Sequence, residues 1–114
     1  MKNARIAIGL LLGALLLYAA GPGFRTRALF EEHFQKHGRE FGNISPEQYL
    51  RLAQELRDAP PGGPILEARK PGGVLTRFDR RSGAFGAYNS TGTIRTFFKP
   101  NDGERYFRRQ AARP

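Results

Sequence analysis

Along residues 29–42, LFEEHFQKHGREFG, the apolar positions recur at helical spacing. At about 100° per residue, Phe30, Phe34, His37 and Phe41 fall on one side of a helix, with His33, Lys36 and Glu40 along its flank. The pattern predicts a first helix from about Arg27 that stops near Gly38 or Gly42, glycine being the usual terminator. Ser45-Pro46-Glu47-Gln48 then offers a serine N-cap, a proline at the first helical position and a glutamine at the third, which is a capping box. The helix that follows carries Tyr49, Leu52, Ala53 and Leu56 as its buried stripe and ends before Pro60-Pro61-Gly62-Gly63-Pro64. Beyond that run the period changes from helix to strand. Residues 65–69, 74–79, 84–89 and 93–99 are β-branched or aromatic and are separated by Pro-Gly-Gly, Arg-Ser-Gly and Ser-Thr-Gly turn signals. In the second strand Val74, Thr76 and Phe78 alternate with Leu75, Arg77 and Asp79. In the fourth Ile94, Thr96 and Phe98 alternate with Thr93, Arg95 and Phe97, so Arg77 and Arg95 take the parity of exposed sheet positions. A last short strand through Tyr106 and Phe107 follows the Asn101-Asp102-Gly103 turn, and residues 108–114 read as a frayed tail. The expected class is α+β: two N-terminal helices packed on a four- to five-stranded antiparallel sheet.

An N-terminal hydrophobic helix is expected to precede this domain. Residues 6–20, IAIGLLLGALLLYAA, are an uninterrupted apolar run behind Lys2 and Arg5, the charge order of a secretory signal. The small-x-small cleavage pattern at its end is poor, because Tyr18 or Leu17 stands at the outer position, and so residues 1–23 are either a signal peptide or a membrane anchor. Either way residues 24–114 are expected to be exported: periplasmic, secreted or anchored to an inner membrane. Gly21, Pro22 and Gly23 read as the linker, with the domain beginning near Thr26. The 114 residues hold no cysteine, so the domain rests on its core without disulfides. Net charge is +9, of which Lys2 and Arg5 supply two, and the excess is mostly arginine. Such a surface favours a polyanion, whether nucleic acid, anionic lipid or an acidic protein partner.

The candidate chemistry is sparse. His33 and His37 match the i, i+4 geometry of a helical zinc pair, but no third ligand has suitable spacing and Phe34 stands where HExxH needs glutamate, so no metal site is expected. There is no Gly-x-Ser-x-Gly, P-loop or dinucleotide fingerprint, and without cysteine no thiol nucleophile; no cofactor is implied. Acid/base chemistry on a polyanion remains. Histidine titrates near neutrality, and a half-buried His37 beside Lys36 suits proton transfer, although a packed, hydrogen-bonded imidazole has the same pattern. RNA cleavage needs a base for the 2′-hydroxyl, an acid for the leaving 5′-oxygen and cations or hydroxyls to hold the phosphorane. His37 fits the first two roles, Arg77, Arg95 and Thr96 the third, and Tyr88 and Tyr106 can stack on a base.

Taken in order, HFxKHGxEFG, the capped Ser-Pro-Glu-Gln-Tyr helix with Leu-x-x-Ala-Gln, the Phe-Asp turn, Gly-Thr-Ile-Arg-Thr-Phe-Phe-Lys-Pro and Gly-x-x-Tyr-Phe resemble the C-terminal toxin domains of bacterial polymorphic toxins. The nearest likeness is to ribonuclease domains of the barnase/EndoU/colicin/RelE-like superfamily, including contact-dependent inhibition toxins that attack transfer RNA. The resemblance covers nearly everything from Leu29 to Phe107. It implies a metal-independent endoribonuclease in which His37, Lys36 and Thr96, with His33 and Arg95 beside them, face the scissile phosphate. It also implies an immunity protein as partner. Domains of this kind ordinarily end a much longer secreted protein, whereas this sequence carries its own short leader, which fits a stand-alone exported nuclease or a domesticated relative. The alternative is a non-catalytic exported basic module that binds nucleic acid or an envelope or protein partner, held at the membrane by residues 6–20.

Overall fold

Thr26 opens the fold's first helix as an N-cap, its hydroxyl accepting from the Leu29 amide at 3.1 Å and so satisfying one of the donors that every helix start leaves unpaired. The computed structural model of the protein describes residues 21–114, so the apolar run at 6–20 lies outside the described residues. Helix α1 spans Arg27–His37 and tightens into a 3-10 turn, Gly38–Phe41. Helix α2, Pro46–Asp58, begins with the expected reciprocal capping box between Ser45 and Gln48. Four strands follow, β1 at Ile65–Arg69, β2 at Leu75–Asp79, β3 at Phe85–Tyr88 and β4 at Ile94–Phe98. They pair as an antiparallel meander in the order β1-β2-β3-β4. Among the described residues no helix is long and apolar enough to cross a membrane.

The chain after β4 departs from the expected fifth strand: Glu104–Ala112 is helix α3, which takes in most of the presumed frayed tail. Tyr106 and Phe107 are adjacent, so by themselves they mark neither a period of two nor of 3.6, and their neighbours Glu104, Arg105, Arg108, Arg109 and Gln110 are all strong helix formers. This helix changes the burial of the sheet. Tyr49, Ala53 and Leu56 of α2 pack on one face against Ile65, Tyr88, Ile94 and Phe97, while Phe107 of α3 packs on the other against Phe78, Phe85 and Ala87. With both faces covered, consecutive residues Thr76, Arg77 and Phe78 are all buried, and the alternation in β2 is no longer a division between core and solvent.

Arg77 is therefore a correction. Its side chain does not face solvent; it runs under the C-terminal end of α2, where Nη1 donates to the carbonyls of Leu56, at 3.2 Å, and Ala59, and Nη2 to Glu67 Oε1 at 3.1 Å. Helix C-termini carry unpaired carbonyls and a partial negative charge, and a buried guanidinium answers both. Tyr88 is a second correction: it is fully buried, donates to the Ala53 carbonyl at 2.8 Å and is out of reach of a nucleotide base. Burial pushes its phenol far above the ordinary value, so it stays a neutral donor.

The Tyr88 ring is accommodated by Gly86 two residues earlier on the same face. A methyl group at Gly86 would lie 2.6 Å from Tyr88 Cζ, inside the core where neither backbone nor ring has room to give. Gly86→Ala is expected to lower stability by about 1–3 kcal/mol through overpacking, read as a fall in denaturant midpoint at constant slope. A midpoint equal to that of the unaltered chain would contradict the close approach.

The presumed linker is also part of the fold. Ile94 N–H donates to Gly23 O at 2.9 Å, Phe24 forms a parallel bridge to Ile94, and Arg57 Nη1 donates to Pro22 O at 2.6 Å. On the opposite side Glu104 joins α3 to the β2–β3 turn: it accepts from Arg80 Nε at 2.7 Å and from Arg108 Nε at 2.9 Å. The bonds from Arg80 and then Arg108 hold the Glu104 carboxyl down to about 2, against an ordinary 4.5. Because the folded value lies below the unfolded one, this contribution is complete above 4.5 and is lost as pH falls toward 2. Unfolding temperature is expected to drop across that window more steeply in the unaltered chain than in Glu104→Gln, and added salt should shrink the difference because the cluster is exposed. Parallel pH curves for the two proteins would show the cluster to be without effect.

Candidate active site

A bulge in β4 builds the site. Ala87 pairs with Thr96 but Tyr88 pairs with Ile94, leaving Arg95 as the extra residue. The register break turns Ile94 toward the α2 face with Phe97, so it does not share a face with Thr96 and Phe98 as simple alternation predicts. Thr96 and Phe98 point to the other face, at the edge strand where α1 passes. There they meet the polar flank of α1. Glu32, His33, Lys36, His37, Thr96 and Phe98 line one surface cleft of about 360 Å³. The four residues singled out for catalysis, His33, Lys36, His37 and Thr96, are thus brought together from positions sixty residues apart in sequence.

The two imidazoles are oriented by different partners. His37 Nδ1 lies 2.7 Å from Glu40 Oε2, and its ring lies 5.1 Å from that of Phe98. His33 Nδ1 lies 2.9 Å from the carbonyl of Leu29, one helical turn earlier, and its ring lies against Phe24 at 4.9 Å. A carbonyl and a carboxylate are acceptors, so each Nδ1 carries hydrogen, and in the neutral rings the lone pair is assigned to Nε2. The ring centres are 6.2 Å apart. Glu40 is itself fixed, since its Oε1 accepts from the Lys99 amide at 2.7 Å and Phe41 beside it stacks on Phe97 at 4.6 Å. The 3-10 turn is what permits this: it carries Glu40 back under the end of α1, three residues after His37. The Glu40 charge reaches Tyr49 too, adding to the burial that pushes that phenol far above its ordinary value.

Lys36 has no carboxylate within ion-pair distance among the described residues, in contrast to Arg57, Arg77, Arg80, Arg108 and Arg109. Arg95 and Tyr106 lie in a second cleft, of about 230 Å³, which also includes Thr96. Arg77 and Tyr88 belong to neither. Sequence reasoning placed Glu40 on the helix flank and gave it no role; its signal was the carboxylate three residues beyond His37, across a glycine that ends the regular helix. Among the described residues no three metal-ligating side chains gather in one place.

What the arrangement can do is proton transfer at a bound anion. Two imidazoles with assigned tautomers, an ammonium that no carboxylate pairs among the described residues and a threonine hydroxyl converge on one opening, against an aromatic wall. A comparison with protein-family models finds no match to this chain, and neither does a comparison with curated protein sequences.

Proposed function

We propose that this protein is an endoribonuclease of toxin type that cleaves RNA by attack of the 2′-hydroxyl on the adjacent phosphate. The observation that carries the reading is the single cleft in which His33, Lys36, His37 and Thr96 meet, with Glu40 holding His37. In this mechanism Nε2 of His37 takes the 2′-hydroxyl proton as the O2′–P bond forms. His33, entering as the imidazolium, gives a proton to the 5′-oxygen as the P–O5′ bond breaks. Lys36 and the Thr96 hydroxyl hold the non-bridging oxygens, where negative charge builds up in the phosphorane. Water takes no part in this step, and the products are a 2′,3′-cyclic phosphate and a free 5′-hydroxyl.

The same reading extends to an RNA partner such as transfer RNA, an immunity protein that protects the producer, and export through residues 6–20. End-group analysis tests its chemistry. After incubation of the purified chain with total RNA, the upstream fragments should carry cyclic phosphate and the downstream fragments should accept a 5′-phosphate from a kinase without prior dephosphorylation. Fragments with 5′-phosphate ends would rule out attack by the 2′-hydroxyl.

A further inference from the structure

The two clefts share Thr96, and the second is built unlike a simple gap between helix and sheet. Its floor is apolar, with Phe85 at its base and Tyr106 as an aromatic wall held edge-on to Phe85 at 4.9 Å. Its rim is polar, with Lys70 from the turn after β1, Arg95 from the β4 bulge and the Gln110 amide from α3. Lys70, like Lys36 in the first cleft, has no carboxylate within ion-pair distance among the described residues. Arg95 is exposed, and its guanidinium donates to a neutral oxygen, Asn89 Oδ1 at 3.2 Å, with no carboxylate within ion-pair distance among the described residues. A cavity with an aromatic wall, a side-chain amide and two cations that no carboxylate pairs among the described residues has the complement of a nucleotide: a face for stacking, a donor and acceptor for a base edge, and positive charge for phosphate.

We infer that the second cleft is a nucleotide subsite, which takes the base and phosphate next to the scissile phosphate at Thr96 and sets which dinucleotide step the protein engages. Its place beside the scissile phosphate rests on the proposed cleavage, while nucleotide binding in the cleft rests on the proposed RNA substrate alone. In it Tyr106 supplies the stacking surface, Gln110 reads the base edge, and Lys70 and Arg95 hold the flanking phosphate. Thr96 is the boundary between the positions.

The test is binding of fluorescein-labelled trinucleotides made with 2′-deoxyribose, which lack the attacking hydroxyl, to the full chain as a function of salt. Lys70→Ala is expected to weaken binding about tenfold at low salt and to lower the slope of log affinity against log salt by about one, the signature of one lost phosphate contact. Gln110→Ala is expected to narrow the spread of affinities among trinucleotides that differ only in the base at this position. Affinity and salt slope unchanged in Lys70→Ala, together with an unchanged spread in Gln110→Ala, would overturn the subsite. The two readings separate: Lys70-dependent binding by a chain that leaves RNA uncut retires the nuclease and keeps the subsite, while cleavage with Lys70-independent binding does the reverse.

Discussion

His37→Ala is expected to lower the single-turnover rate of RNA cleavage by about 10²–10⁴-fold, the range a positioned acid or base contributes, while the chain stays folded. Folding survives because the ring sits at the margin of the core, its side chain 15% exposed, and contacts Glu40 and Phe98 without being enclosed by them. Glu40→Gln is expected to cause a smaller loss, since an amide still reaches the ring but no longer selects the tautomer with hydrogen on Nδ1 or stabilises the imidazolium. Single-turnover rates with circular dichroism on the same samples check both. A rate equal to that of the unaltered chain in folded His37→Ala removes it as the acid or base. Collapse of the fold would instead identify His37 as a packing residue, with the cleft a by-product of α1 crossing β4.

The largest expected effect on stability lies elsewhere. Arg77→Ala should cost about 2–6 kcal/mol, at about 1–3 kcal/mol for each of two backbone carbonyls left without their donor. The loss strands the Leu56 and Ala59 carbonyls at the end of α2, both met by one guanidinium that also reaches the exposed Glu67 carboxylate on β1. Set against the roughly 5–15 kcal/mol that holds an ordinary domain together, this is a substantial fraction. Lysine should rescue little, because a single ammonium on an unbranched stem does not reproduce the planar fork that reaches both the helix end and the neighbouring strand. Urea unfolding of the two variants checks this, and a loss under about 1 kcal/mol in Arg77→Ala would mean that the helix end is satisfied without it. On the proposed reading, any fall in RNA binding by Arg77 variants should track lost folded protein, whereas Arg95→Gln is expected to weaken binding with the fold intact.

How far the sequence could be read depends on which forces are local. Capping, proline and glycine placement, and hydrophobic period act within a turn or two, and so α1, the Ser45 capping box, α2 and four strands are legible within a residue or two of their observed ends. Helix spacing makes the placing of His33, Lys36 and His37 along one side of α1 legible as well, whereas their meeting with Thr96 in one cleft depends on where α1 crosses β4. What escaped is non-local. Nothing near Arg77 or Tyr88 says that their face of the sheet is the one α2 covers, with α3 closing the other over Phe78, Phe85 and Ala87. Likewise the register shift at Tyr88, which turns Ile94 away from Thr96, depends on pairing with β3 and leaves no mark in the alternation of β4. Tyr106 and Phe107 were misread because two adjacent aromatics carry no period. Gly21 to Gly23 read as a linker because composition cannot show that Gln54 and Arg57 donate to the Gly21 and Pro22 carbonyls and the Ile94 amide to that of Gly23.

Cleavage of RNA at a single 2′-hydroxyl is the measurement closest to the central claim. An end-labelled RNA is incubated with the purified chain in EDTA, the cut position is mapped, and the experiment is repeated with one 2′-deoxynucleotide placed immediately 5′ to that position. The proposed chemistry predicts a discrete product from the all-ribose RNA, and none at that position once the one hydroxyl is gone. RNA that stays intact yet bound under the same conditions, or a cut that persists without the 2′-hydroxyl, would contradict it, the first outcome leaving a basic RNA-binding module and the second a different reaction.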